Sequence, residues 1–81
     1  PSVQVKMRVR EDQMNHLIDW FGKEFRIVQE EADKLIVSVA CNKLAMRYWA
    51  LQYGEYAEIL EPESLRDDIR DAVDCMGSVY R

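Results

Sequence analysis

Strict alternation of apolar and polar residues opens the chain and predicts a first strand. In "VQVKMRV", residues 3–9, the apolar side chains share one face and the polar side chains share the other. Such a strand is half-buried, with its apolar face against a core. The apolar face consists of Val3, Val5, Met7 and Val9, and the polar face consists of Gln4, Lys6 and Arg8.

The pattern then changes to helical spacing and back to strands. Between residues 11 and 21 apolar residues recur three and four positions apart, and Gly22 follows where a helix end favours glycine. Residues 25–41, "FRIVQEEADKLIVSVAC", contain two β-branched runs around a polar turn at 31–33, which predicts a β-hairpin. In its second strand Leu35, Val37, Val39 and Cys41 are predicted to face the core, with Ile36, Ser38 and Ala40 opposite.

A second helix, a short strand and a third helix complete the pattern. Asn42 is suited to cap the second helix, and Gly54 is suited to end it in a left-handed conformation. "YAEILE", residues 56–61, predicts a strand, and Pro62 fits the first turn of the last helix because that position has no intrahelical N–H bond to lose. The second helix has the apolar residues Leu44, Ala45, Tyr48, Trp49 and Leu51, and the third has Leu65, Ile69, Val73, Met76 and Tyr80.

This order of elements predicts one domain with a split βαβ arrangement, because 81 residues leave no room for a second core. Right-handed crossovers would place the first two helices on the same face of one sheet. We therefore predict an α+β fold, a ferredoxin-like sandwich of the βαββαβ type with an additional C-terminal helix. The pattern leaves open whether that last helix covers the opposite sheet face.

Composition and charge exclude several classes of protein. Apolar residues make up 48% of the chain and are spread along it, which predicts a packed globule. The net charge of −4 has the wrong sign for neutralising phosphates, so direct DNA binding is not expected. No apolar run approaches the roughly 20 residues that span a bilayer. Cys41 and Cys75 lie far apart and outside any metal-ligand motif, which favours reduced, buried thiols in a cytoplasmic protein.

The polar residues that could form a metal-binding or catalytic site are more simply explained as structural residues. Asp67, Asp71 and Asp74 share one side of the last helix and could offer oxygen ligands to a metal, but nearby arginines favour a solvated, ion-paired surface. His16 is the only histidine and has no nucleophile motif or metal-spaced companion. We therefore expect no catalytic site, no metal and no cofactor.

Basic residues on the first strand form a candidate contact surface. Lys6, Arg8 and Arg10 are two positions apart, so they project from one face and can present positive charge to an anion or an acidic neighbour. Ile36 and Ser38 would share this face, which lies opposite the crossover helices and is called the outer face below. The competing interpretation is an ordinary solvated strand. RNA-binding sheets of this topology carry stacking aromatic residues at these positions, and this chain does not.

Residues 48–66, "YWALQYGEYAEILEPESLR", resemble the C-terminal extension (WCX) domain of bacterial WYL-domain transcriptional regulators. In that family an aromatic-rich helix ends in a Phe/Tyr-Gly pair, a strand with a Glu-Val/Ile-Leu core follows, and Pro-x-x-Leu-Arg opens the last helix. The matching residues that we take to be structural are Trp49, Tyr53, Gly54, Glu58, Pro62, Leu65 and Arg66. The hairpin turn departs from the family, since it reads "EADK" where many relatives have Asp-Gly.

The resemblance extends over nearly the whole chain and implies that residues 1–81 are a single WCX-like domain from the C-terminal part of a longer regulator. It implies a regulatory and oligomerisation module whose partners are the WYL domain of the same regulator and a second protomer. The alternative is a small ligand-sensing domain that binds a metabolite at the open sheet face or at a dimer seam. An acylphosphatase-like enzyme ranks last, because no glycine-rich anion loop precedes a helix.

Overall fold

The computed structural model describes all 81 residues. The strands are β1 (Ser2–Arg10), β2 (Phe25–Glu31), β3 (Lys34–Asn42) and β4 (Ala57–Glu61), and the helices are α1 (Met14–Phe21), α2 (Lys43–Gln52) and α3 (Glu63–Val79). The four strands form one antiparallel sheet in the order β2-β3-β1-β4. The element order βαββαβα confirms the predicted ferredoxin-like α+β fold with its additional C-terminal helix.

The apolar face of β1 lies at the centre of the core. β1 pairs with β3 on one side and β4 on the other, and Met7 lies opposite both Val37 and Ile59. Because the side chains of paired residues project to the same face, the apolar positions of three strands meet beneath the helices. The core consists of Val5, Met7, Val9, Leu17, Leu35, Val37, Val39, Cys41, Met46, Trp49, Ala50, Ile59 and Leu65.

Two turns in the first half of the chain lie where the sequence predicts them. A 3₁₀ turn at Glu11–Gln13 leads into α1, and the amide of Gly22 closes this helix by donating to the carbonyl of Ile18 at 2.8 Å. Gly22 has φ 71° and ψ −158°, a region that favours glycine. The hairpin turns through Ala32 and Asp33 with no residue of positive φ, so it does not use the turn type that requires Asp-Gly.

Helix α2 is capped as predicted but buries a different face. The Oδ1 atom of Asn42 accepts from the amides of Leu44 and Ala45 at 2.9 and 3.1 Å. The fully buried residues are Met46, Trp49 and Ala50, whereas the side chains of Leu44 and Tyr48 are 57% and 58% exposed. The predicted apolar face is therefore wrong at Leu44 and Tyr48, because the spacing 46, 49 and 50 faces the sheet and those two residues lie on the other side of the helix.

Gly54 does not have the predicted left-handed conformation, since Gly22 is the only residue of positive φ. The reason for a glycine there is space: a Cβ atom at Gly54 would lie 3.0 Å from the carbonyl oxygen of Ala50. Pro62 is the N-cap of α3, so it lies immediately before the first helical residue, Glu63, whereas the prediction placed it within the first turn. Its carbonyl accepts from the amides of Leu65 and Arg66, each at 3.1 Å.

Helix α3 packs chiefly against β4 and α2, and makes no comparable contact with the central strands. It therefore extends the helical layer past the edge of the sheet and leaves the centre of the outer face to other side chains. Leu65 in its first turn is fully buried in the core. None of the three helices is long and apolar enough to cross a membrane.

Candidate functional site

Arg8 lies at the centre of a chain of ion pairs that crosses the outer face. Its Nε atom donates to Oε1 of Glu31 on β2 at 2.9 Å, and its Nη1 atom donates to Oε1 of Glu58 on β4 at 2.8 Å. The second carboxylate oxygen of Glu58 accepts from Nη1 of Arg66 at 2.8 Å. The order Glu31, Arg8, Glu58, Arg66 thus connects β2, β1, β4 and α3. We call these four residues the outer-face ion chain.

The outer-face ion chain favours the charged state of its two central members, Arg8 and Glu58. Hydrogen bonds to Glu31 and then Glu58 raise the pKa of Arg8. The hydrogen bond from Arg66, followed by that from Arg8, lowers the pKa of Glu58 despite partial burial. Acidic and basic side chains thus alternate along the three ion pairs that join the four residues.

The other two basic residues of β1 also have acidic neighbours within the chain. Lys6 lies 3.6 Å from the carboxylate of Glu61, and Arg10 donates to both carboxylate oxygens of Asp12, at 2.7 and 3.2 Å. The guanidinium of Arg10 also lies over the ring of Tyr56, 5.4 Å from its centroid. Each predicted cation thus lies on the outer face or at its end with an internal partner, and its role toward an external anion stays a prediction.

Ile36 and Ser38 lie in register with Arg8 and Lys6 on the outer face, as the alternation predicts. Both are buried there, with 7% and 6% of their surface exposed. The hydroxyl of Ser38 accepts from Nε2 of Gln4 at 2.7 Å. Neighbouring side chains therefore cover Ile36 and Ser38, whereas Ala40, further along β3 on the same face, is exposed.

The aromatic part of the family motif joins α2 to α1. The Nε1 atom of Trp49 donates to the carbonyl oxygen of His16 at 3.3 Å, and the Trp49 ring lies 5.3 Å from that of Tyr53. Tyr53 stacks on His16 with centroids 4.6 Å apart, and Tyr56 stacks on the same imidazole at 6.2 Å. No local spacing signals this stack, because residues 16, 53 and 56 meet only through the fold. His16 is an aromatic packing residue here.

The second part of the motif fastens α3 to the edge of the sheet. Nη1 of Arg66 donates to the carbonyl oxygen of Ile59 at 2.7 Å as well as to Glu58. Leu65, beside it, inserts into the core with no exposed surface. The carbonyl of Ile59 on the edge strand β4 therefore has a hydrogen-bond donor from α3. This contact covers part of an edge with which another chain could otherwise pair.

A groove of about 670 Å³ lies between the end of α2, strand β4 and α3. Its apolar lining includes Leu51, Ala57 and Ile59 from the first two elements and Ile69, Val73 and Met76 from α3. Arg66 and Arg70 line the groove from α3, and Glu55 and Glu58 line it from β4 and the turn before it. No local sequence pattern indicates this groove, because its walls come from segments that are separate along the chain.

The apolar stripe of α3 is buried at one end and exposed at the other. Leu65 is fully buried, Val73 and Met76 are 55% and 47% exposed, and Val79 and Tyr80 are 71% and 85% exposed. Helix α3 has 17 residues and is about 25 Å long, whereas the five residues of β4 span about 17 Å. The helix therefore runs past the surface that buries its first half.

The remaining polar groups of α3 pair along its surface. Arg70 donates to Asp67, and Arg47 of α2 donates to Asp68 at 2.9 Å. No three potential metal ligands among histidine, cysteine and acidic residues converge. Both cysteines are free, and desolvation raises the pKa of the buried Cys41 thiol. Cys75 is exposed, so the expectation of two buried thiols holds only for Cys41.

Comparison with known protein families supports the sequence resemblance. The family model of the WCX domain matches residues 1–77, which include all four strands, α1, α2 and most of α3. No curated protein matches the sequence.

Proposed function

Because this chain belongs to the WCX domain family, which is associated with WYL-domain regulators, we propose that it is a non-catalytic regulatory module that assembles its regulator in the cytoplasm by pairing with a second copy of itself. The single observation that carries the pairing is the exposed C-terminal half of α3. Val73 and Met76 are about half exposed and Val79 and Tyr80 are mostly exposed, so together they present apolar surface to solvent. Contiguous apolar surface of this kind is typical of contact sites.

A second copy suits this surface because the apolar stripe of one copy can cover the same stripe of the other. In an antiparallel pair of α3 helices whose two-fold axis passes near Gly77, the exposed residues between 73 and 80 of each copy lie along those of the other. The two helix dipoles then run antiparallel, which is favourable.

The WYL domain of the same regulator is the other proposed partner. The outer face is suited to it, because its alternating charges can set orientation and exclude wrong partners even where they add little affinity. With a net charge of −4, the module itself contributes no direct DNA contact in this proposal. Its effect on transcription would pass through the arrangement of the domains it holds together.

Sedimentation equilibrium of the chain tests the pairing. We expect a concentration-dependent dimer that Val79→Asp converts to a monomer, because this substitution places a charge in the apolar contact. Leu44→Asp is the matched control: Leu44 is exposed to a similar degree but lies at the start of α2, away from the proposed contact. A wild-type chain that stays monomeric up to about 1 mM, which corresponds to a pairing free energy weaker than about −4 kcal/mol, would contradict the proposal.

A further inference from the structure

We infer that the groove between α2, β4 and α3 binds a small carboxylic acid with an apolar body. This site goes beyond the proposed pairing. It shares Val73, Met76 and Tyr80 with the proposed contact, whereas Val79 belongs to the contact and does not line the groove, so the two proposals can be tested separately. The groove volume of about 670 Å³ lies within the range of roughly 300–1,000 Å³ that is typical of small-molecule sites.

The walls favour an apolar ligand body. The groove is lined by Leu51 at the end of α2, by Ala57 and Ile59 of β4, and by Ile69 and Val73 of α3. Gly77 also lines it, and the missing side chain there keeps the groove open, since only the side chain of Arg81 would contact a Cβ atom at that position. An aliphatic or aromatic group can therefore enter between two helices and a strand and remove apolar surface from water.

Arg66 provides an oriented charge at this apolar wall. The Arg66 side chain donates two hydrogen bonds, to Glu58 and to the carbonyl of Ile59, and both come from its Nη1 atom. The Nε and Nη2 atoms therefore have no partner in the chain. Two neighbouring N–H groups of a fixed guanidinium match the two oxygens of a carboxylate. Because its position is already held by β4, Arg66 loses little freedom when a ligand binds.

The charge balance favours a single carboxylate over other charged groups. Glu58 is already hydrogen-bonded to two arginines, so it offers little to a ligand amine. Arg70, the other cation of the groove, has one partner, Asp67 on its own helix. A dianion such as a phosphate monoester would face the acidic neighbours Glu55 and Glu58 in a domain of net charge −4. One negative charge on an apolar body is the best match.

Methyl and amide NMR titration of the chain with 4-phenylbutyrate tests this inference. Two matched probes have the same body: 4-phenylbutyramide lacks the charge, and 4-phenylbutylamine reverses it. We expect saturable shifts of Ala57, Ile69 and Val73 with the acid, and at least tenfold weaker binding of the amide and the amine. Repeating the acid titration on Val79→Asp should give equal or tighter binding, because Val79 does not line the groove and pairing would cover part of its wall. Weaker binding to this variant would contradict a site within one copy of the chain.

Two variants keep the inference testable. Arg66→Gln should weaken the acid at least tenfold while changing amide binding little, and Gly77→Leu should abolish binding of all three probes by filling the groove without removing a charge. Circular dichroism checks that both variants are folded. We expect Gly77→Leu to fold, because leucine favours the helical conformation more than glycine does. Equal affinity for acid and amide, tighter binding of the amine, shifts outside the groove, or no saturable shift would each overturn the inference.

Discussion

Arg66 and Ile59 are joined by a hydrogen bond of 2.7 Å from the Nη1 atom of the arginine to the backbone carbonyl of the strand residue. This bond, together with the contact between Arg66 and Glu58, holds the start of α3 against the edge of the sheet. A helix added to a ferredoxin-like core thereby becomes part of the domain instead of a mobile tail.

Arg66→Ala should lower the free energy of unfolding, because it leaves the Ile59 carbonyl without a side-chain donor and Glu58 with one arginine fewer. We expect a loss of about 1 kcal/mol, the usual size for a hydrogen bond of this kind near the surface. Urea denaturation measures it. Arg70→Ala is the control, since Arg70 bonds only to Asp67 on its own helix, and its urea midpoint should change little. An equal effect of the two substitutions would show that Arg66 is not an anchor.

The stability contributed by Glu58 should depend on pH. Its pKa is lowered in the folded state by Arg66 and Arg8, so its contribution is present above the ordinary glutamate pKa of about 4.3 and is lost as the pH falls through the lower folded value. Since the side chain is 46% exposed, solvent screening limits the contribution to about 1 kcal/mol or less.

Thermal denaturation of wild type and Glu58→Gln between pH 7 and pH 2.5 measures this dependence. The wild type should be the more stable protein at pH 7, and the difference should shrink toward zero at the acid end. Glu55→Gln, which removes an exposed acid with no ion pair, should show no such convergence. A constant difference between wild type and Glu58→Gln would contradict the assigned cause.

Charge reversal should act differently at two neighbouring positions of β1. Arg8→Glu places a third carboxylate between Glu31 and Glu58, so we expect it to destabilise the isolated domain. Lys6→Glu affects only one long ion pair with Glu61, on exposed side chains, and should be nearly neutral. Urea midpoints of the two single variants provide the comparison, and high salt should reduce the effect of Arg8→Glu by screening repulsion. Equal stability of both variants would argue against the outer-face ion chain.

The three glycines should respond differently to alanine. Gly22→Ala introduces strain at φ 71° and ψ −158°, with an expected cost of about 1–3 kcal/mol. Gly54→Ala should cost about 1 kcal/mol or more, because its Cβ atom meets the Ala50 carbonyl. Gly77→Ala should stabilise the domain by about 0.5–1 kcal/mol, since it lies within α3 and meets only a flexible arginine. Urea titration ranks all three; a neutral Gly54→Ala would show that the turn can relax.

The order of elements and the inward face of each central strand could be predicted from the sequence. The alternation of β1 and β3 has a period of two, and that period alone assigns Val5 and Val37 to the core and Arg8 and Ser38 to the outer face. The end of α1 at Gly22 and the cap at Asn42 were also predictable. These features depend on residues within a few positions of one another.

Only the tertiary structure decided which residues from distant parts of the chain contact each other. Apolar residues surround α2 on several sides, so only packing against the sheet selected Met46 over Tyr48. The residues next to Arg8 in the sequence do not indicate an acidic partner, because its two partners are 23 and 50 residues away along the chain. The groove beside α3 likewise requires three separate segments to meet. Local periodicity determines the face that a side chain takes, because it depends on backbone geometry, whereas burial, ion pairing and cavities depend on contacts between distant segments that only the packed chain defines.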